Sequence, residues 1–379
     1  MSPHNGLGST VLGRIDDLEG AAALSLDPGE ASRYSRAALL GAAAVRDALR
    51  EAGVDAADTS GRTILVTASL QFGASELQEM YETFVQGDAA DVGMAYWRRG
   101  TPAALIGGIS ALLGLSWPTL NIAGSCNVGL RALEVGLAVL SAGLADRLVL
   151  LGVDSCVDDL FLAGALHQGS SGYQAAVASL DIEDVRPHDS DPRGNASGEG
   201  AIALVIEADT LPDRGRPFRI DLRTVRSSGR STVATGPTAP LAQATSELLR
   251  DAEIGLADVA FVNDYADGNA FVEEHFVAFL DELRSLEEHR GRLTLVNQEG
   301  IFGHVAGPGG LLRLLVTLEM LAEGAAAPCP HVRAPHGGLG SVNLAGGPLN
   351  DAAGPALIVS SGAGGDATVA LVWAGGERQ

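Results

Sequence analysis

Eight short aliphatic runs punctuate the chain, and they constrain its fold more than any other feature. They are 63–67 (ThrIleLeuValThr), 119–122, 147–152 (ArgLeuValLeuLeuGly), 201–206 (AlaIleAlaLeuValIle), 259–262, 292–296, 356–359 and 368–373. Each is near-continuously apolar rather than alternating. That is the pattern of a strand buried on both faces, not of a half-exposed hairpin. Ala- and Leu-rich stretches at 36–52, 127–143, 241–253, 271–287 and 309–323 separate them and carry helical spacing. Strand alternating with helix predicts an α/β fold with sheets covered on both sides.

The polar segment 207–217, with two Pro and a Gly, reads as a joint between two halves, 1–212 and 213–379. Each half repeats one rhythm: strand, chemically interesting loop, long apolar helix, strand. Residues 163–185 are Gly/Ser-rich and read as a surface insertion or cap.

Charge narrows the function. With 25 basic and 47 acidic residues the net charge is −22. This excludes the basic stripes that neutralise nucleic-acid phosphates and disfavours docking on an anionic membrane. Every basic residue is Arg, so no Schiff base or Lys general base is available. Three Cys in 379 residues are no disulfide framework. Arg14, Asp16 and Asp17 break the apolar stretch of a signal peptide, and Glu134, Asp146 and Arg147 interrupt the best membrane-span candidate, 132–153. A soluble cytoplasmic protein is expected.

Four segments carry chemistry. In 119–133 a buried strand runs through AlaGlySerCysAsnValGly into an apolar helix, placing Cys126 at the helix start. Amide groups and the dipole there favour a thiolate and can receive an oxyanion. Cys126 is therefore a candidate nucleophile; a buried, inert Cys is the alternative. In 186–205 a turn-rich loop ends in SerGlyGluGlyAla, where Glu199 reads as a structural carboxylate tying loop amides together. In 299–310 His304 sits in a Gly-rich loop before a helix and reads as a general base or hydrogen-bonding partner, or as a structural His. Residues 357–372 read as a tight hairpin whose Gly loop faces a site. A dinucleotide loop would open a helix instead.

Together and in this order, the segments resemble the β-ketoacyl synthase branch of the thiolase-like superfamily, from about residue 30 to 375. The family's Thr-Ala-Cys-Ser-Ser loop reads GlySerCysAsnVal here. Its ArgProPheAsp…GlyPheVal…GlyGluGlyAla segment reads ArgProHisAsp…GlyAsnAla…GlyGluGlyAla. Its AsnIleGlyHis segment reads IlePheGlyHis, and its GlyPheGlyGly hairpin reads GlyAlaGlyGly. The resemblance implies a five-layered αβαβα fold of two similar halves and a homodimer or a heterodimer with another ketosynthase-like chain. It also implies acyl transfer onto Cys126 from an acyl carrier protein or coenzyme A thioester. No cofactor or metal is implied. The oxyanion hole would be the Cys126 amide plus a backbone group near Ser361.

The same resemblance marks departures. Tyr265 stands where the family has its first His, and Glu299 where it has a Lys. Tyr265 is expected to offer at most one O–H donor, and only if it points inward. Losing one oxyanion donor costs on the order of 10²–10³ in rate. Glu299 is expected to disfavour the thiolate. Cys126 and His304 remain, as in ketosynthases that pass an acyl chain on without condensing it. Ser361, Ala363, His188 and Asn195 replace gate and channel aromatics, so a wider or more polar channel is expected unless Phe161, Phe302 or Tyr173 fills it. For an acidic carrier protein, Arg98 and Arg99, or Arg223, Arg226 and Arg230, are the basic patches, whereas 74–85 is an acidic helix. Cys329, His331 and His336 lack a fourth ligand for zinc. The rival reading is a non-catalytic partner subunit, like the chain-length factors that pair with active ketosynthases.

Overall fold

The computed structural model describes residues 10, 12–15, 24–57, 62–87, 89–166, 177–179, 181–208, 218–226, 236–349 and 354–374. Residues 167–176 and 180 of the 163–185 insertion, nearly all of the 207–217 joint, Tyr173 and Arg230 lie outside them. Thirteen strands are described, β1 (Leu12–Gly13), β2 (Thr63–Ser69), β3 (Thr119–Ala123), β4 (Arg147–Ser155), β5 (Ser197–Glu207), β6 (Phe218–Arg226), β7 (Val262–Asn263), β8 (Leu293–Val296), β9 (Ala325–Ala326), β10 (Val342–Asn343), β11 (Gly347–Pro348), β12 (Ala356–Ser361) and β13 (Asp366–Ala374). One sheet has the order β1-β5-β4-β2-β3 and the other β10-β8-β7-β12-β13-β6. Both are mixed: β2 pairs parallel with β3 and β4, whereas β5 runs antiparallel to β4, and β13 to both β12 and β6.

The aliphatic runs bury both faces, as their pattern requires. On β4, Val149, Leu151 and Val153 meet the helices Arg36–Ala52 and Pro102–Leu113, while Leu148 and Leu150 face the interior between the sheets. On β12, Leu357 and Val359 face the helices Ala239–Asp251 and Ala270–Leu286, and Ile358 faces inward. The middle layer holds the helices Val128–Ser141 and Gly309–Glu323. They touch through glycine: a Cβ on Gly129 would lie 2.9 Å from the Gly307 carbonyl oxygen, and one on Gly310 2.8 Å from Leu130 Cγ. The layers are thus helix, sheet, helix, sheet, helix.

Two elements lie outside the pattern that the sequence displays. Strand β6 alternates Arg219, Asp221 and Arg223 with Ile220 and Leu222, as an edge strand does, and Arg219 stacks over Trp373 at 4.4 Å. The helix Pro102–Leu113 contains two glycines, and its start is set by the Thr101 cap and Pro102.

Buried charges tie the layers together. Asp154, at the end of β4, accepts from Ser69 Oγ (2.6 Å), from the amides of Leu70 and Gln71, and from the Gly307 amide (2.7 Å). A Cβ on Gly307 would overlap Asp154 Oδ2. Glu199 accepts from the Ile15 amide, Ser155 Oγ and Arg36, which fits the structural role read from its loop. His188 is not a channel residue. It is fully buried, with Nε2 2.9 Å from Asp264 Oδ2 and its amide donating to Glu273 Oε2 at 3.0 Å. Burial opposes its charge, but the two carboxylates outweigh burial and raise its pKa to about 10.

Gly307→Ala is expected to cost about 1–3 kcal/mol in denaturant melts. Gly107→Ala, in an exposed helical site with open space around it, should be neutral or stabilising by about 0.5–1 kcal/mol. His188→Gln should cost about 3–5 kcal/mol at pH 6.5. Because folding raises the His188 pKa, its stabilisation is complete below pH 6.5 and is lost as pH rises towards 10. The wild-type advantage over His188→Gln in melts should shrink across that window.

Candidate active site

Cys126 lies in the turn between β3 and the helix Val128–Ser141, whose N-cap is Asn127. The turn is closed by the Val128 amide donating to the Ser125 carbonyl at 2.9 Å. Cys126 is half-buried, whereas Cys156 and Cys329 are buried. The tip of the β12–β13 hairpin covers the turn. A Cβ on Gly362 would lie 3.0 Å from the Asn127 amide nitrogen and 3.3 Å from that of Cys126. Only glycine permits this approach. The Gly362 amide is itself taken by the Asp366 carbonyl (2.9 Å). Ser361 Oγ is buried with no partner among the described residues, and Ala363 is exposed at the tip.

The other half of the fold delivers His304. A one-turn helix, Glu299–Phe302, ends at Gly303 with φ +75°, where a Cβ would come within 2.8 Å of the Ala196 carbonyl oxygen. The loop then crosses to the first half: the His304 amide donates to the Ala196 carbonyl (2.6 Å) and the His304 carbonyl accepts from the Gly198 amide (3.0 Å). So anchored, His304 places Nε2 3.0 Å from Cys126 Sγ. The sequence-derived pair Cys126 and His304 is therefore brought together across 178 positions.

Behind the imidazole stands Glu299, with Oε2 3.1 Å from His304 Nδ1. Its other oxygen accepts from Arg313 Nη2 at 2.5 Å. Arg313 is buried, with Nε also donating to the Asp264 carbonyl at 2.7 Å. Burial alone would raise the Glu299 pKa, but His304 and Arg313 outweigh it, and the carboxyl is held below its ordinary value. His304 is pushed the other way. Burial disfavours its charge, yet Cys126 and Glu299 raise its pKa well above 6.5. The expected antagonism of Glu299 towards the thiolate is thus redirected, because its charge is spent on a cation and on orienting the imidazole.

A second carboxylate faces the same ring. Asp267 Oδ2 lies 4.0 Å from His304 Nδ1 and accepts from Asn195 Nδ2 at 2.8 Å. Asn195 is therefore a buried partner of Asp267 rather than a bare channel wall. Burial raises the Asp267 pKa to about 6 against the opposing pull of His304 and its hydrogen-bond donors. Tyr265 does not point inward. Its hydroxyl lies 2.6 Å from His275 Nδ1 and its ring packs edge-on against Phe276. Asp267, two residues on, takes the place beside His304 that the sequence suggested for Tyr265.

Arg313 and Asp267 escaped the sequence reading. The signal for Arg313 was a lone charge inside GlyGlyLeuLeuArgLeuLeuVal, since Arg is almost never fully buried without a partner. Phe302, considered as a channel filler, instead lines a separate apolar cleft of about 800 Å³ with Ile15, Ile301, Val305, Leu312 and Met320. Cys126 is not on its wall. Arg223 pairs with Glu247 and Asp251, and Arg99 lies 3.7 Å from Glu79, so neither is a bare basic patch. Cys329, His331 and His336 engage the Leu295 carbonyl, the Gly300 carbonyl and the Gly338 amide, respectively, and do not converge. No helix of the described residues is long and apolar enough to cross a membrane.

The chain is similar to several known proteins. The chain is 22% identical over 320 residues to nodulation protein E of Rhizobium sp. (strain N33), covering 82% of this chain and 75% of that protein. It is 23% identical over 321 residues to 3-oxoacyl-[acyl-carrier-protein] synthase 2 of Staphylococcus aureus (strain N315), with the same coverage. Among solved structures, the AntDE:AntF complex, a type II PKS acyl-carrier protein with its ketosynthase bound to the hexaketide, superposes with a TM-score of 0.76 at 17% identity. That match covers 91% of this chain and 85% of the solved one. Residues 10–210, more than half of the chain, match the family model for the β-ketoacyl synthase N-terminal domain. The chain therefore belongs to the β-ketoacyl synthase family.

Proposed function

We propose that this chain is a ketosynthase-like acyltransferase of fatty-acid- or polyketide-like biosynthesis that carries its acyl group as a thioester on Cys126. The observation that carries the reading is the 3.0 Å contact between Cys126 Sγ and His304 Nε2, with Glu299 fixing the far ring nitrogen. A sulfur and a base in reach, with the base oriented by a third group, is the arrangement that nucleophilic catalysis needs.

In this reading Cys126 attacks the carbonyl carbon of an acyl carrier protein or coenzyme A thioester. The oxyanion that forms sits against the Cys126 amide and the backbone of the 361–363 tip. His304 holds the proton relinquished by Cys126 and gives it to the departing thiol. The raised pKa of His304 suits that role, because the ring keeps a proton to give at neutral pH. A passive partner subunit has no use for such a contact, so the chain-length-factor-like reading is the weaker one.

The protein works as a dimer in this reading. Strand β3 is the free edge of the first sheet, with Thr119, Leu120 and Ala123 exposed. Uncovered edges invite pairing with another strand, so a second chain belongs there.

Incubation with octanoyl-N-acetylcysteamine should give an intact-mass shift of one octanoyl group, absent in Cys126→Ala. Absence of any adduct with acyl thioesters, or an adduct that survives Cys126→Ala, would contradict the proposal. His304→Ala should slow loading by about 10²–10⁴. Leu120→Arg should shift sedimentation from dimer to monomer; an unchanged dimer would place the interface elsewhere.

A further inference from the structure

We infer that the acyl group on Cys126 is handed to an alcohol or amine, forming an ester or amide, rather than to a carbon nucleophile made by decarboxylation. The inference rests on the acyl-Cys126 reading and names the acceptor for that site.

The sign of the charge around the sulfur decides between the two acceptors. Decarboxylative condensation builds an enolate, whose oxygen needs neutral or positive donors beside the sulfur. Here two carboxyl groups, Glu299 and Asp267, stand 3.1 and 4.0 Å from His304, the only imidazole among the described residues that touches Cys126. Arg313 does not face the acyl group, since its three nitrogens are directed at the Asp264 carbonyl, Ser360 Oγ and Glu299. The hydroxyl of Tyr265 is spent on His275, and the amide of Asn195 on Asp267. Beside His304 a negative enolate oxygen would thus meet two carboxyl groups, of which only Glu299 is paired with a cation, and among the described residues no second imidazole donor. One missing oxyanion donor alone costs on the order of 10²–10³-fold.

Heteroatom transfer asks the opposite of the site. The acceptor O–H or N–H must lose a proton, and a neutral His304, its far nitrogen held by Glu299, is the base that takes it. The acceptor lone pair forms a C–O or C–N bond to the acyl carbon while its proton passes to His304 Nε2. The tetrahedral oxyanion rests on the Cys126 amide, at the helix start. It collapses by breaking the C–S bond, and the sulfur leaves as a thiolate beside the newly protonated imidazole, which restores the resting pair. Nothing is oxidised or reduced, and no carbon dioxide is released.

The test uses the full chain loaded with octanoate on Cys126 and freed of excess thioester. It is then divided among buffer, malonyl-N-acetylcysteamine, 1,3-propanediol and ethanolamine. Loss of the adduct is followed by intact mass, the products by chromatography, and carbon dioxide by release from labelled malonyl thioester. Ester or amide formation at least tenfold faster than hydrolysis, with no carbon dioxide above background, is the expected result. Carbon dioxide release with a β-keto product overturns the inference while leaving the acyl-enzyme intact, and so does an adduct that no alcohol or amine removes faster than water. Failure to load at all overturns the acyl-Cys126 reading itself and this inference with it. Asp267→Asn provides a second check: removing that negative group should shift the partition at least tenfold towards malonyl decarboxylation, and an unchanged partition would contradict the charge argument.

Discussion

Arg313 is the cation on which the site depends. It sits in the middle of an apolar helix, buried between two sheets, where an unpaired guanidinium would not be tolerated. Its partners repay that burial and are themselves the site's supports. Glu299 receives one arm, and the backbone carbonyl of Asp264, at the end of β7, receives another. Asp264 in turn pairs with His188 and accepts from Asn297, whose side-chain oxygen takes the Glu299 amide. The orientation of the His304 ring is thus the last link of a connected polar network. Such networks rigidify when every member is satisfied, and removing one partner strands the others.

The two halves of the chain divide the work. The first supplies the sulfur at a helix start, and the second supplies the imidazole, its orienting carboxylate and the hairpin tip. Glycine makes their approach possible at a few defined points. Gly362 lets the hairpin lie on the Cys126 amide, Gly303 lets the His304 loop pass the Ala196 carbonyl, and Gly307 leaves room for Asp154. These are points of backbone against backbone or carboxylate, where a single methyl group has nowhere to go.

Much of the fold was legible because the strands are buried on both faces and the helices are long. The helix read at 36–52 spans Arg36–Ala52, and the helix read at 309–323 spans Gly309–Glu323. Strand β6 was not legible, because alternating Arg and Asp on an edge strand imitates a polar loop. In the site, Cys126 and His304 could be named from their loops. The directions of neighbouring side chains could not. Tyr265 and Asp267 are two positions apart in an irregular loop, and their side chains go to different places: Tyr265 to His275, Asp267 towards His304. His188 looked like an altered channel aromatic, yet the carboxylates of Asp264 and Glu273, far away in sequence, claim it as a buried cation. Pairings made only in three dimensions carry no local signature.

Everything turns on His304, whose pKa Cys126 and Glu299 together raise well above 6.5. Nitrogen-15 NMR of histidine-labelled protein at pH 8 reads its protonation directly. Both His304 nitrogens should show imidazolium shifts in the wild type, and the ring should lose its proton at a lower pH once Cys126 is replaced by Ala. A neutral His304 at pH 8, titrating near 6.5 and indifferent to Cys126→Ala, would contradict the account.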